Sequence, residues 1–225
     1  MQALTEKILE QQLGERVLSD IQLARILGGS DARRYGSVNR ALRAGELQHV
    51  KRGLYLLNPR FRHDPVHPFA LAQALLPTSY VSFESALSYH GWIPEAVYTT
   101  ASVTHERKSR RYELETLGCF TFQPLAIQPG YFLEQVERLQ LTGQTLLLAK
   151  PLRALMDWVC LRKLAWQGLD VLLEGMRLDE DVLQQLDSSV TAADISALAQ
   201  VYKHQRVRDY LQHFARELGI TQELA

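Results

Sequence analysis

The 225-residue chain has few cysteines and no long apolar run. Its two cysteines, Cys119 and Cys160, lie far apart in apolar surroundings, so we expect buried thiols rather than a disulfide or a metal site. No apolar segment approaches the roughly 18 residues that a membrane-spanning helix needs. The N-terminal stretch MQALTEKILEQQL lacks the basic-then-apolar pattern of a signal peptide. We therefore expect a cytoplasmic protein without membrane contact.

The motifs of common nucleotide and zinc sites are also missing. The sequence contains no GxxxxGK[ST], no GxGxxG and no CxxC. His63 and His67 are four residues apart, but Pro65 between them disfavours the helix that would place both on one face. We therefore expect no cofactor, no metal and no catalytic residues.

The chain carries no net charge, but the balance hides an asymmetry. Residues 1–63 contain eleven Lys or Arg against six Asp or Glu, a net of +5, and the rest of the chain carries a net of −5. A basic segment of this kind indicates a polyanionic partner such as nucleic acid, although a solvated surface has the same composition.

Helical spacing of apolar residues predicts three short helices at the start of the chain. The first contains Leu4, Ile8, Leu9 and Leu13; the second follows a cap at Ser19 or Asp20 and turns Ile21, Ala24 and Leu27 inward. The third covers residues 31–44, with Tyr35, Val38, Ala41 and Leu42 inward and Gly45 as its stop. Gly36 weakens this helix, so a start at Ser37 is the alternative.

Two apolar stretches around Lys51-Arg52-Gly53 then predict a β-hairpin with a basic tip. Three helices followed by such a hairpin are the layout of a winged helix–turn–helix, which we place at residues 1–60. A linker at 61–68 leads to a mixed α/β domain at 69–225 that ends in a helical bundle, so the predicted class is α+β. Strands are expected at 80–81, 97–103, 112–115, 118–125 and 145–149. Helices are expected at 69–76, 82–89, 151–164, 168–174, 179–186, 192–202 and 206–218.

The third helix carries the residue types that contact DNA. Arginine can bond guanine bidentately, asparagine can do the same for adenine, and both reach phosphates. On this helix Arg33, Ser37 and Arg40 share the outer face, while Asn39 and Arg43 flank it; a solvated helix is the alternative. The predicted DNA-binding residues are Arg33, Arg34, Ser37, Asn39, Arg40, Arg43, Lys51 and Arg52.

Three segments together resemble the AbiEi antitoxin family of type IV toxin–antitoxin systems. They are RRYGSVNRALRAGELQHVKRGLYLLNP, VSFESALSYHGWIPEAVY and LAKPLRALMDWV, and the resemblance covers residues 19–218. It implies an N-terminal winged helix–turn–helix that represses its own operon by binding double-stranded operator DNA. It also implies a C-terminal domain that counteracts a nucleotidyltransferase-like toxin without a stable complex, a role tied to phage resistance. We expect a monomer or weak dimer.

A second basic patch lies between two predicted strands, at Arg107, Lys108, Arg110 and Arg111. It is either a phosphate contact or a mobile charged loop. The spacing from Glu95 to Glu106-Arg107-Lys108 also resembles the acidic pair and lysine of metal-dependent nucleases, which is the enzymatic alternative. A regulator without a toxin is a further alternative. His90, at a helix end, is expected to be structural.

Overall fold

A computed structural model describes residues 1–141, 143–178 and 190–220, and within them the chain forms two compact units. The first unit comprises Met1–Pro77 together with residues 139–146. The second comprises Thr78–Arg138 and the described residues from Leu147 onward. The first unit thus extends beyond the linker expected at 61–68, and the boundaries of independently folding domains stay a prediction.

Four α-helices form the first unit, and local signals set where they begin and end. They are α1 (Ala3–Glu10), α2 (Asp20–Leu27), α3 (Asp31–Arg43) and α4 (Pro68–Leu75), with a 3-10 turn at Pro59–Phe61. Helix α2 begins at a capping box in which Ser19 and Gln22 satisfy each other's backbone N–H groups. Helix α3 ends where Gly45 takes a φ of +64°, as its sequence position predicts.

A three-stranded antiparallel sheet completes the first unit. Strands β2 (Leu47–Lys51) and β3 (Leu54–Leu57) form the expected hairpin, with a register shift between His49 and Lys51. The short strand β1 (Leu18–Ser19) pairs with the other edge of β3, which gives the order β1-β3-β2. The core between helices and sheet consists of Leu4, Ile8, Leu18, Leu23, Val38, Ala41, Leu47 and Leu57.

Two inward-facing predictions for the helices were wrong. Ile21 is 67% exposed and Tyr35 is 73% exposed. In α2 the core is contacted by Leu23, Ile26 and the correctly predicted Leu27, and the helical period places Ile21 on the opposite side from these three residues. The alternative start at Ser37 was also wrong, since α3 runs without a break through Gly36.

A second sheet has six strands of mixed direction, in the order β6-β7-β5-β4-β9-β8. Its strands are β4 (Ser79–Val81), β5 (Thr99–Thr104), β6 (Arg110–Leu114), β7 (Gly118–Pro124), β8 (Val136–Leu141) and β9 (Gln144–Ala149). The helices of the second unit are α5 (Phe83–Tyr89), α6 (Pro151–Arg162), α7 (Leu169–Met176), α8 (Ala192–Val201) and α9 (Gln205–Glu217). The α+β class is confirmed. Strand β8 was not predicted, and the helix expected at 179–186 lies outside the described residues.

A fully buried ion pair lies at the centre of the second unit. Arg153 and Asp157, both on α6, have side chains with no exposed surface, and Arg153 Nε lies 3.0 Å from Asp157 Oδ1. Asp157 also accepts hydrogen bonds from the hydroxyls of Tyr80 (2.9 Å), Ser82 (2.7 Å) and Tyr202 (2.8 Å). The sequence predicted that the Ser82 side chain would cap α5, but this was wrong: it makes no cap hydrogen bond and its hydroxyl is turned toward Asp157.

The guanidinium group of Arg153 satisfies its other donors on backbone oxygens and on the hydroxyl of Tyr80, which accepts from Nη2. Its Nη1 donates to the carbonyl of Glu134 at 2.5 Å, and Nη2 lies 3.4 Å from the carbonyl of Phe132. The pair thus connects α6 with β4, the start of α5, the end of α8 and the loop before β8. A buried charge is tolerated only when it is paired and hydrogen-bonded in this way.

Replacing Arg153 with Met is expected to lower the unfolding free energy of the second unit by about 3–5 kcal/mol, because it leaves the Asp157 carboxylate buried without a cation. All three tryptophans of the sequence, Trp92, Trp158 and Trp166, belong to this unit, so urea unfolding followed by tryptophan fluorescence reports on it.

The matched control is Arg162→Met on the same helix, where the ion pair with Glu84 is solvent-exposed and contributes far less. Equal losses in the two variants would contradict the importance of the buried pair.

Candidate nucleic-acid interface

The outer face of α3 presents three exposed arginines. Arg33, Arg40 and Arg43 are exposed and Asn39 is half-exposed, as their helical spacing predicts. Within the described residues, Arg33 and Arg43 take part in no salt bridge. Their guanidinium groups are therefore accessible to an anion in solution.

Ser37 positions one of these arginines. Its hydroxyl donates to the carbonyl of Arg33 at 3.0 Å, and Arg40 Nη2 donates to the same hydroxyl oxygen at 3.0 Å. The arrangement holds the Arg40 guanidinium back along the helix surface over Gly36, whose added Cβ would lie 3.5 Å from Arg40 Nη1. Ser37 thus contributes to the exposed face of α3 by fixing the position of the Arg40 side chain.

Arg34 lies apart from the other arginines of α3. Its Nη1 donates to the carbonyl of Gly29 at 2.6 Å, and its Nη2 forms an ion pair with Asp31. These contacts fasten the turn between α2 and α3. Arg34 is therefore engaged within the protein, and its DNA contact stays a prediction.

The two basic residues at the hairpin turn have different surroundings. Arg52 is exposed, whereas the Lys51 ammonium group donates to the carbonyl of Leu75 at the end of α4. The turn itself is fixed against α2: the Asp20 N–H donates to the Gly53 carbonyl at 3.0 Å. At Gly53, where φ is +78°, a Cβ would lie only 2.9 Å from Asp20 Oδ2. The turn therefore holds Arg52 in a defined place, while Lys51 attaches the hairpin to α4.

Tyr35 is an exposed aromatic residue that the sequence analysis placed in the core. It stands on α3 beside the arginines and near Tyr55 of β3. Burial, reinforced by the carboxylate of Asp20, raises the pKa of Tyr55, whose hydroxyl bonds to that carboxylate. Tyr55 is thus occupied within the fold, whereas Tyr35 adds an apolar surface to the α3 face. Helical spacing could not reveal this, since Tyr35 lies three residues from the buried Val38.

The second basic patch is divided between the two faces of a strand. Arg110 and Arg111 are adjacent on β6, so their side chains point to opposite faces. Arg110 forms an ion pair with Glu106, and Arg111 Nη2 lies 2.7 Å from Glu113 Oε1. Arg107 and Lys108 are exposed in the turn between β5 and β6. The four residues therefore do not form one continuous cationic surface.

The carboxylates of the nuclease alternative are far apart. Glu95 precedes β5 and Glu106 follows it, and a six-residue strand spans about 20 Å. Glu95 lies beside an open pocket of about 630 Å³ in the second unit, where it pairs with Arg177 at 3.4 Å. Among the described residues no three potential ligands of the His, Cys, Asp or Glu type are grouped to hold a metal ion. Glu95 and Glu106 therefore do not come together to form the two-carboxylate metal site of a nuclease.

The remaining titratable candidates have structural surroundings. His90 Nε2 lies 3.0 Å from the carbonyl of Ala149, which agrees with the structural role expected of it. Cys160 is buried, as expected, and burial raises the pKa of its thiol to about 11, whereas Cys119 is half-exposed. No helix in the described ranges is both long and apolar enough to cross a membrane.

Comparison of the chain with protein-family models and with curated protein sequences returned no match.

Substitutions of Lys51 and of Arg52 are expected to have different effects on the folding stability of the chain. Lys51→Met removes a charged donor from the Leu75 carbonyl and is expected to cost about 1–2 kcal/mol of folding free energy. Arg52→Met changes an exposed side chain and is expected to leave stability unchanged. Thermal unfolding followed by circular dichroism of the full chain tests this, and a stable Lys51→Met variant would show that the contact with α4 is dispensable.

Proposed function

We propose that the first unit is a winged helix–turn–helix that binds double-stranded DNA, with α3 in the major groove and the β2–β3 turn as the wing. The observation that carries the proposal is the α3 face, where Arg33, Arg40 and Arg43 stand exposed. Helix α3 follows α2 after a short turn, as the second helix of such a motif does when it enters the groove. The order α1, β1, α2, α3, β2, β3, with β1 paired to β3, supports the same assignment.

The side chains of this surface divide into two kinds of contact. Arg40 and Asn39, in the middle of α3, are the candidates for base edges, because arginine suits guanine and asparagine suits adenine. Arg33, Arg43 and Arg52 lie around them and are the candidates for phosphates, which position the protein without reading sequence. The exposed ring of Tyr35 is suited to apolar contact with a thymine methyl group.

The charge distribution supports DNA as the partner. The +5 charge of residues 1–63, all of which belong to the first unit, attracts a polyanion, whereas the −5 charge of residues 64–225 repels one. Binding that depends on phosphate contacts weakens with salt, because each neutralised phosphate releases counterions.

We expect the chain to bind the DNA region upstream of its own gene. Arg40→Ala or Asn39→Ala is expected to relax preference at one or two base pairs, at a cost of about 1–3 kcal/mol. Arg52→Ala is expected to weaken binding to all sequences and to flatten the slope of log K against log salt by about one unit. Electrophoretic shift assays on the upstream region and on a shuffled duplex measure both effects.

The control is Arg216→Ala, which removes an exposed arginine from α9 in the second unit and is expected to change neither quantity. A chain whose affinity is the same at low and moderate salt would refute the electrostatic basis of the proposal. Uniform losses in the Arg40, Asn39 and Arg52 variants would show that α3 does not read bases.

The resemblance to AbiEi antitoxins supports a second role, which we propose for the second unit: counteracting a nucleotidyltransferase-like toxin encoded beside this chain. Repression and neutralisation are then separate activities of one protein. The alternative is a transcription factor without a toxin.

Co-expression of the full chain with the product of the adjacent gene is expected to restore growth. An Arg40→Ala/Arg43→Ala variant is expected to lose repression but still rescue growth, because α3 belongs to the first unit. Arg107→Glu/Lys108→Glu is expected to impair rescue more than operator binding. If the α3 variant lost both repression and growth rescue, DNA binding by the first unit would account for the rescue, and the second unit would have no separate role in it. If the product of the adjacent gene does not arrest growth, the alternative of a transcription factor without a toxin would be favoured.

A further inference from the structure

Gly36 occupies the middle of the exposed face of α3 although the backbone there does not require glycine. The helix is continuous from Asp31 to Arg43, and Gly36 is not among the glycines with positive φ. A glycine in an exposed helix interior weakens the helix relative to alanine, because it gains no contact and loses more conformational freedom on folding.

Packing within the protein does not require glycine at this position either. A Cβ built on Gly36 would meet one atom within 4 Å, Nη1 of Arg40, at 3.5 Å, which is an ordinary van der Waals distance at the end of a flexible side chain. Alanine would therefore fit at position 36 in the folded chain without displacing any neighbour.

The surroundings of Gly36 on the helix surface are the proposed DNA-contacting side chains. Residues three and four positions apart are neighbours on a helix, so Arg33, Asn39 and Arg40 surround Gly36, and Arg43 lies one further turn along. The missing side chain leaves a notch between these longer side chains, and the guanidinium of Arg40 partly covers it in this structure. The hydrogen bond from Arg40 to Ser37 holds one wall of the notch in place.

We propose that Gly36 is the point of closest approach between α3 and the major-groove edges of the bases. The notch lets the helix backbone seat deeply enough for Arg40 and Asn39 to reach base edges. A side chain at position 36 would hold the helix away from the groove floor, which removes base contacts but leaves the longer reach of Arg33, Arg43 and Arg52 to phosphates. Gly36 is thus a positioning residue for sequence reading, and the inference rests on the proposed DNA-binding function.

The test compares the full-length wild-type chain with Gly36→Ala and Gly36→Leu. The probe is a duplex that the wild-type chain selects from a random-sequence pool, measured beside a shuffled duplex. Gly36→Ala is expected to raise the melting temperature but to weaken specific binding about tenfold, the size of one lost base contact. Gly36→Leu introduces a good helix former with a larger side chain and is expected to weaken specific binding about a hundredfold. Binding to the shuffled duplex and its salt slope are expected to stay unchanged.

The matched control is Gly175→Ala, at a helical glycine of α7 in the second unit where a Cβ meets no atom within 4 Å. It is expected to leave both DNA affinities at the wild-type level. Specific binding by Gly36→Ala and Gly36→Leu at wild-type strength would overturn the inference while leaving the proposed function intact. Equal losses on specific and shuffled duplexes would also overturn it, because the notch would then serve phosphate contact. A wild-type chain that selects no duplex would refute DNA binding itself, and the inference with it.

Discussion

The buried pair of Arg153 and Asp157 is the interaction on which the second unit depends. Burial alone lowers the pKa of Arg153, but the adjacent Asp157 carboxylate outweighs it and raises that pKa above its ordinary value. Burial raises the pKa of Tyr80 and of Tyr202 far above the usual range, so both phenols stay protonated and donate. The cluster requires each of these groups to keep its partners: both hydroxyls donate to Asp157, and the Tyr80 hydroxyl also accepts from Arg153 Nη2. Elements distant in the sequence are held in one arrangement by this requirement.

This cluster also shows what periodicity cannot predict. Helices and the hairpin of the first unit follow from local signals: the Ser19 cap, the stop at Gly45, and apolar spacing that α1 to α3 largely obey. Arg153 and Asp157 are one turn apart on α6, a spacing equally typical of a solvated surface pair. Their hydroxyl partners, Tyr80 and Tyr202, lie 77 and 45 residues from Asp157. Only the tertiary fold brings these groups together, so the sequence pattern suggested a cap at Ser82 and no buried ionic centre.

The same division between local and long-range information holds for the candidate interface. Spacing correctly predicted that Arg33, Arg40 and Arg43 face away from the core, because the period of a helix determines its faces. It could not show that Arg34 fastens a turn or that Lys51 reaches the end of α4, since those contacts depend on where other elements lie. Tyr35 was misplaced because aromatic residues are usually buried, and the packed stripe of α3 is narrower than its apolar composition suggests.

The α3 face brings together three arginines, Arg33, Arg40 and Arg43, that take part in no salt bridge within the described residues. Arg34 on the same helix pairs with Asp31, and Arg110, Arg111, Arg162 and Arg177 of the second unit pair with Glu106, Glu113, Glu84 and Glu95. On α3, Arg40 and Arg43 stand three residues apart with the same charge, and their repulsion opposes the favourable effect of cations in the last turn of the helix. Gly36, at the centre of the same face, disfavours it further. The proposed DNA-binding function would account for both features, because a polyanion would neutralise the arginines and would use the space that Gly36 leaves.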